Sequence, residues 1–123
     1  MGAEVKLHLT PAILAGVYES LRVCPPFARW KLPPAEDIEF RVSQHKDREG
    51  HYTRYVGTDH HFIYVSGARI GYFDSLAIVM AHEMIHLCQA VKKTETRGEH
   101  NADFRRKAAR VCAALGFDPK VFC

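Results

Sequence analysis

The sequence predicts one α+β domain spanning residues 1–123: an N-terminal helix, a three-stranded, mostly antiparallel sheet, a long buried helix and a C-terminal helix. Three observations predict it. Apolar residues recur at intervals of three and four before residue 24 and again after residue 75. Between these segments lie three short runs rich in β-branched and aromatic residues, each bounded by Gly, Asp or a charged turn. The 123 residues, 47% of them hydrophobic, are enough for one core and too few for two.

Thr10 offers a capping hydroxyl and Pro11 suits the first helical position. Ile13, Leu14, Val17 and Leu21 follow at helical spacing, so a first helix runs to about Val23 and is stopped by Pro25-Pro26. Phe27 to Pro34 is a loop whose aromatics, Phe27 and Trp30, are expected to lie over the core. Ile38, Phe40 and Val42 alternate with polar residues and make the first strand. After the charged turn at 46–50, Tyr52 to Val56 is the second strand and His61 to Ser66 the third. Short turns between consecutive strands favour an antiparallel meander.

Asp74 or Ser75 is placed to cap the next helix, which has no Gly or Pro until about Lys93. Leu76, Val79, Met80, Met84, Ile85 and Leu87 make it apolar on most of its circumference, so it belongs in the middle of the fold. After a polar loop at 94–98, a last helix is expected from about Glu99 or His100. Phe104, Ala108, Val111, Cys112 and Leu115 form its stripe, Gly116 its C-cap, and Asp118-Pro119 its stop.

Composition narrows the function classes. A net charge of +3 does not by itself argue for nucleic acid. No apolar run reaches the roughly 18 residues of a membrane span, and the N-terminus lacks a signal-peptide core, so a cytoplasmic, monomeric protein is the expectation. Cys24, Cys88, Cys112 and Cys123 form no C-x-x-C pair and are expected as reduced thiols.

The chemistry lies in His82-Glu83-Met84-Ile85-His86, an H-E-x-x-H motif late in the buried helix. Residues four apart share a helix face, so two imidazoles can be presented to one point. Two neutral ring nitrogens suit zinc, and the adjoining carboxylate of Glu83 can take a proton from the attacking water. A catalytic zinc usually has three protein ligands and one open position. From His86 to Lys93 the helix advances about 10 Å, and a loop of about six residues can span up to about 20 Å. The start of the last helix can therefore return beside the metal, where Glu99, His100 and Asp103 are the candidates. Cys88, two positions past His86, points to another face.

His82-Glu83-Met84-Ile85-His86, followed by His100-Asn101-Ala102-Asp103-Phe104, resembles the SprT-like metallopeptidases, whose pattern is H-E-M-I-H and then H-G-x-x-F or W. The resemblance covers roughly Ile38 to Phe117. It implies that His82, His86 and His100 bind one Zn2+, that Glu83 is the catalytic carboxylate, and that the helix, three-strand, helix, helix order is a minimal zincin fold. The chain departs from the family at Asn101, where the family has Gly. Asn is the non-Gly residue that best tolerates a left-handed backbone. No cysteine-rich zinc ribbon follows the core, as it does in many members.

The expected activity is zinc-dependent hydrolysis of peptide bonds in a protein or peptide substrate, with Glu83 as general base. An extended peptide is expected to add to the His61-to-Ser66 strand, if that strand is the sheet edge nearest the metal. Tyr52, Tyr55, His60, His61, Tyr64 and Tyr72 are all candidates for stabilising the oxyanion; His8, His45 and His51 read as surface residues. Asp103 is expected near an imidazole, and Phe104 in the core. Members of the family degrade proteins attached to DNA, and Lys92, Lys93, Arg97, Arg105 and Arg106, with Lys107 and Arg110, form a basic strip that could hold a phosphate backbone. Two other classes share these features: a zincin-fold module that binds zinc or DNA without turnover, and a metallohydrolase of a non-peptide amide.

Overall fold

The computed structural model describes residues 7–55, 58–93 and 100–122. Glu99, Arg97, Cys123, the polar loop at 94–98 and the expected last residue of the second strand, Val56, lie outside the described residues. The chain is α+β. Helix α1 (Pro11–Arg22) precedes strands β1 (Ile38–Ser43), β2 (Gly50–Arg54) and β3 (His61–Ser66), then helices α2 (Phe73–Lys92), α3 (Ala102–Leu115) and α4 (Pro119–Phe122).

The local signals for α1 act as expected. The Thr10 hydroxyl accepts a hydrogen bond from the Ile13 N–H at 3.2 Å, and Pro11 opens the helix. The loop after α1 lies over the core: Phe27 is fully buried, and Trp30 packs edge-on against it at 5.4 Å between centroids. No helix among the described residues is long and apolar enough to cross a membrane.

The sheet corrects the meander. Its order is β1-β3-β2, with β3 parallel to β1 and antiparallel to β2. The turn between β1 and β2 thus leaves a gap, and β3 fills it. Ile38 pairs with His61 and Val42 with Val65 on one side, while Gly50 pairs with Val65 and Arg54 with His61 on the other. β3 is therefore no edge. Both of its neighbours shield it, and its residues are buried throughout except Tyr64. The edge that faces the motif helix is β2. Ile38, Phe40, Ile63 and Val65 point into the core, where Leu76, Met80, Met84 and Leu87 of α2 meet them together with Leu14 and Tyr18 of α1.

Helix α2 begins one residue before Asp74, with Tyr72 as its extended cap and no side-chain cap bond. Asp74 instead accepts from the Ser75 N–H at 2.8 Å inside the first turn. Helix α2 ends on Lys93 in a left-handed conformation, φ 57°. Helix α3 starts at Ala102, slightly later than the sequence suggests, because Asn101 is its cap: the Asn101 carboxamide oxygen accepts from the Phe104 N–H at 2.9 Å. Asn101 has φ −70° and ψ −178°, so it is extended, and the left-handed turn anticipated there is not used. Gly116 closes α3 at φ 78° and donates its N–H to the Cys112 carbonyl. The Asp118-Pro119 stop ends α3 but also starts the short helix α4, where the Asp118 carboxylate accepts from the Lys120 N–H at 2.9 Å.

Candidate metal centre

His82 and His86 project from one face of α2, as a four-residue separation requires. Their ring centroids are 5.2 Å apart. His100 stands just before the cap of α3, and its ring centroid lies 4.9 Å from His82 and 5.4 Å from His86. One ring nitrogen from each of the three lies within 4.8 Å of the others, a group that could hold a metal ion. The His82 and His100 Nε2 atoms are 3.2 Å apart. Two nitrogens on a tetrahedral zinc, each at about 2.0–2.1 Å, are about 3.3 Å apart. The donor set and the spacing of this pair therefore fit zinc, and the His86 nitrogen lies within 4.8 Å of both.

Three contacts aim these rings. The His82 Nδ1 lies 3.1 Å from the Phe122 carbonyl oxygen. A carbonyl only accepts, so Nδ1 carries the proton, and the neutral ring offers the lone pair of Nε2 to the centre. Phe104, fully buried, forms the floor beneath all three imidazoles at centroid distances of 5.0, 4.7 and 4.5 Å to His82, His86 and His100. Phe104 is thus core, as expected, and also the support of the site. The Arg105 guanidinium donates to the His100 carbonyl at 2.8 Å and so ties down the exposed member of the triad.

Burial, reinforced by the neighbouring His82 and His100, pushes the His86 imidazole down from 6.5 to about 4. His86 is thus neutral, as a metal ligand must be, over the ordinary pH range. Between these two values the unfolded chain binds more protons than the folded one, so stability falls as pH drops through that window. The urea midpoint of the chelator-treated protein should decline from pH 7 to pH 4, and the slope should flatten in His86→Asn; an equally steep decline in that variant would contradict the assignment.

Glu83 is 6% exposed and faces a cleft of about 230 Å³ lined by Glu49, Gly50, Ile78, Val79, His82, Val121 and Phe122. Gly50 lets the edge strand approach this closely. A Cβ there would lie 2.6 Å from Val79 Cγ1 and 3.0 Å from Glu83 Oε2. Gly50→Ala should therefore move either β2 or the Glu83 carboxylate and destabilise the fold by about 1–3 kcal/mol. An unchanged urea midpoint would show that the approach is looser than this geometry.

Asp103 turns towards Gln89 and the Lys107 ammonium, at 3.0 and 2.7 Å. In the basic strip, half-buried Lys107 and exposed Arg106 pair with Asp103, and exposed Arg105 reaches the His100 carbonyl, while Lys92, Lys93 and Arg110 are also exposed. Among the oxyanion candidates, Tyr52 and His61 hydrogen-bond each other at 2.7 Å, Tyr64 packs beside Phe62, and Tyr55, His60 and Tyr72 are exposed. His51, read as a surface residue, is half-buried on β2 and close enough to act on the His86 charge. Cys24, Cys88 and Cys112 are free thiols, and burial raises that of Cys88.

The residues missed by sequence reasoning are Phe122, whose carbonyl fixes the His82 tautomer, and Gln89, buried one turn after His86. Gln89 could have been found: it continues the His82, His86 face at helical spacing as a polar residue among apolar ones. A scan against protein-family models found no match, and a search of curated proteins found none.

Proposed function

We propose that the chain is a zinc-dependent metallopeptidase of the SprT-like kind, with His82, His86 and His100 as ligands and Glu83 as general base. The observation that carries this is the convergence of three imidazole nitrogens within 4.8 Å, next in sequence to a buried carboxylate, Glu83, that lines a cleft together with His82. A site that only stiffened the fold would use a closed set of ligands and would gain nothing from burying Glu83 beside it.

When bound, zinc supplies Lewis acidity, lowering the pKa of a water from about 16 towards 7 and polarising a carbonyl. The protein's own groups do the rest. The Glu83 carboxylate takes the proton from the attacking water and returns it to the leaving amine. The Phe122 carbonyl keeps the His82 proton on Nδ1, away from the centre. The apolar walls of Ile78, Val79 and Phe122 limit water around Glu83. The substrate is proposed to lie along β2, not β3, because β2 is the edge strand packed against α2 and its Gly50 borders the cleft.

The test is cleavage of an unfolded protein by the purified chain, with and without chelator, zinc replenishment and DNA. The proposal expects cleavage that chelator abolishes and zinc restores. Zinc binding without cleavage would favour a non-catalytic module. Cleavage of small amides but not of polypeptide would favour a non-peptide hydrolase. Stimulation by DNA, weakening steeply with salt, would support a phosphate-binding role for exposed Lys92, Lys93, Arg105 and Arg106.

A further inference from the structure

We infer that Gln89 is a positioning residue for the metal centre: its carboxamide couples the helix that carries His82 and His86 to the turn that carries His100. The inference rests on the metal-site assignment and goes beyond it.

Gln89 is 2% exposed, between the buried Cys88 and Ala90 of α2. A primary amide is kept in such a place only when its donors and acceptor are satisfied. Here its Nε2 donates to Asn101 Oδ1 and to Asp103 Oδ2, each at 3.0 Å. Those two bonds use both of its N–H groups. One side chain of the motif helix therefore holds both the cap of the next helix and a residue of that helix's first turn.

Each contact has a consequence at the centre. Asn101 immediately follows His100, and its oxygen is shared between Gln89 and the Phe104 N–H, so the Gln89 bond fixes where the third ligand enters. Asp103 is held from the other side by Lys107 at 2.7 Å, so the far end of the coupling is anchored. No apolar residue of the same size could make these bonds, and a glutamate would set a second carboxylate against Asp103.

The experiment compares zinc affinity, by competition with a chromophoric chelator, and the d–d absorption of the cobalt(II)-loaded protein for the wild-type chain, Gln89→Leu and Gln89→Met. Both variants fill the space with good helix formers, and Asn101 still caps α3. Zinc affinity should fall by about 10- to 100-fold, the usual cost of losing a group that orients a ligand, and the cobalt band should shift or weaken. The melting temperature of the metal-free protein should change little by comparison. Wild-type zinc affinity and an unchanged cobalt spectrum in either folded variant would overturn the inference, whatever happens to stability. If the wild-type chain itself took up no zinc, the metal assignment would fall and this inference with it. Zinc binding without peptidase activity would overturn only the catalytic proposal.

Discussion

Glu83→Gln should bind zinc as tightly as the wild-type chain and lose about 10²- to 10⁴-fold in turnover, the range spanned by a positioned general base. The two side chains have the same shape, so the cleft wall beside Val79 and Gly50 is preserved. The amide has no basic oxygen for the proton of the attacking water. Because Glu83 is 6% exposed, no bulk water stands ready to replace it. The decisive comparison is between kcat and zinc stoichiometry measured on the same preparation. Full turnover with full zinc would remove Glu83 from the mechanism. Lost zinc would make Glu83 part of the metal's support and leave its catalytic role without evidence.

Much of this site is local, and that is why the sequence discloses it. His82, Glu83 and His86 lie within one and a half turns of a helix whose apolar circumference is plain from Leu76 to Leu87. Thr10 with Pro11, and Gly116, mark their helix ends by chemistry that depends on no distant residue. The strand order is different in kind. Alternating side chains fix which face of a strand is buried, but a strand inserted between two others has the same alternation as one added outside them. One clue did lie in composition: His61-Phe62-Ile63-Tyr64-Val65 is nearly continuous in bulky residues, the pattern of a strand covered on both sides, whereas β2 carries Gly, His, Thr and Arg. Reading that contrast as central strand against edge would have put β2, not β3, beside the motif. The contacts that orient the site were less legible still. The Phe122 carbonyl reaches His82 across forty positions of sequence, and a backbone oxygen leaves no signature in residue type. Asn101 illustrates the intermediate case. Its place where the resembled family has glycine suggested a left-handed turn, but the same side chain is also a strong helix cap, and the Phe104 N–H, which has no partner within the helix's first turn, bonds to it instead.

His100→Ala should cut zinc affinity by more than the roughly 10- to 100-fold that losing an orienting group costs, because it deletes a donor outright. The effect on the metal-free fold should be small. His100 is exposed, it precedes the capped end of α3, and its removal leaves the Asn101 cap, the Gln89 bonds and the Phe104 floor intact. Exposed substitutions of this kind usually change stability by no more than about 0.5 kcal/mol. The loss should be specific to the metal: a chelator-treated variant melting with the wild-type protein, and a zinc-dependent rise in melting temperature that shrinks or vanishes. Glu99→Ala is the partner experiment, since Glu99 is the other candidate for the third position from the sequence. If His100 is the ligand, Glu99→Ala keeps its zinc. The opposite pair of results, zinc retained without His100 and lost without Glu99, would move the site to two histidines and a carboxylate. That change matters for mechanism as well as for inventory. A third imidazole leaves the bound ion with its full double positive charge, whereas a carboxylate ligand lowers that charge and makes the ion a weaker acid towards water. The pH at which cleavage half-saturates should accordingly be lower for the three-histidine site, and a titration of kcat/KM on the wild-type chain bears on the same choice without any substitution.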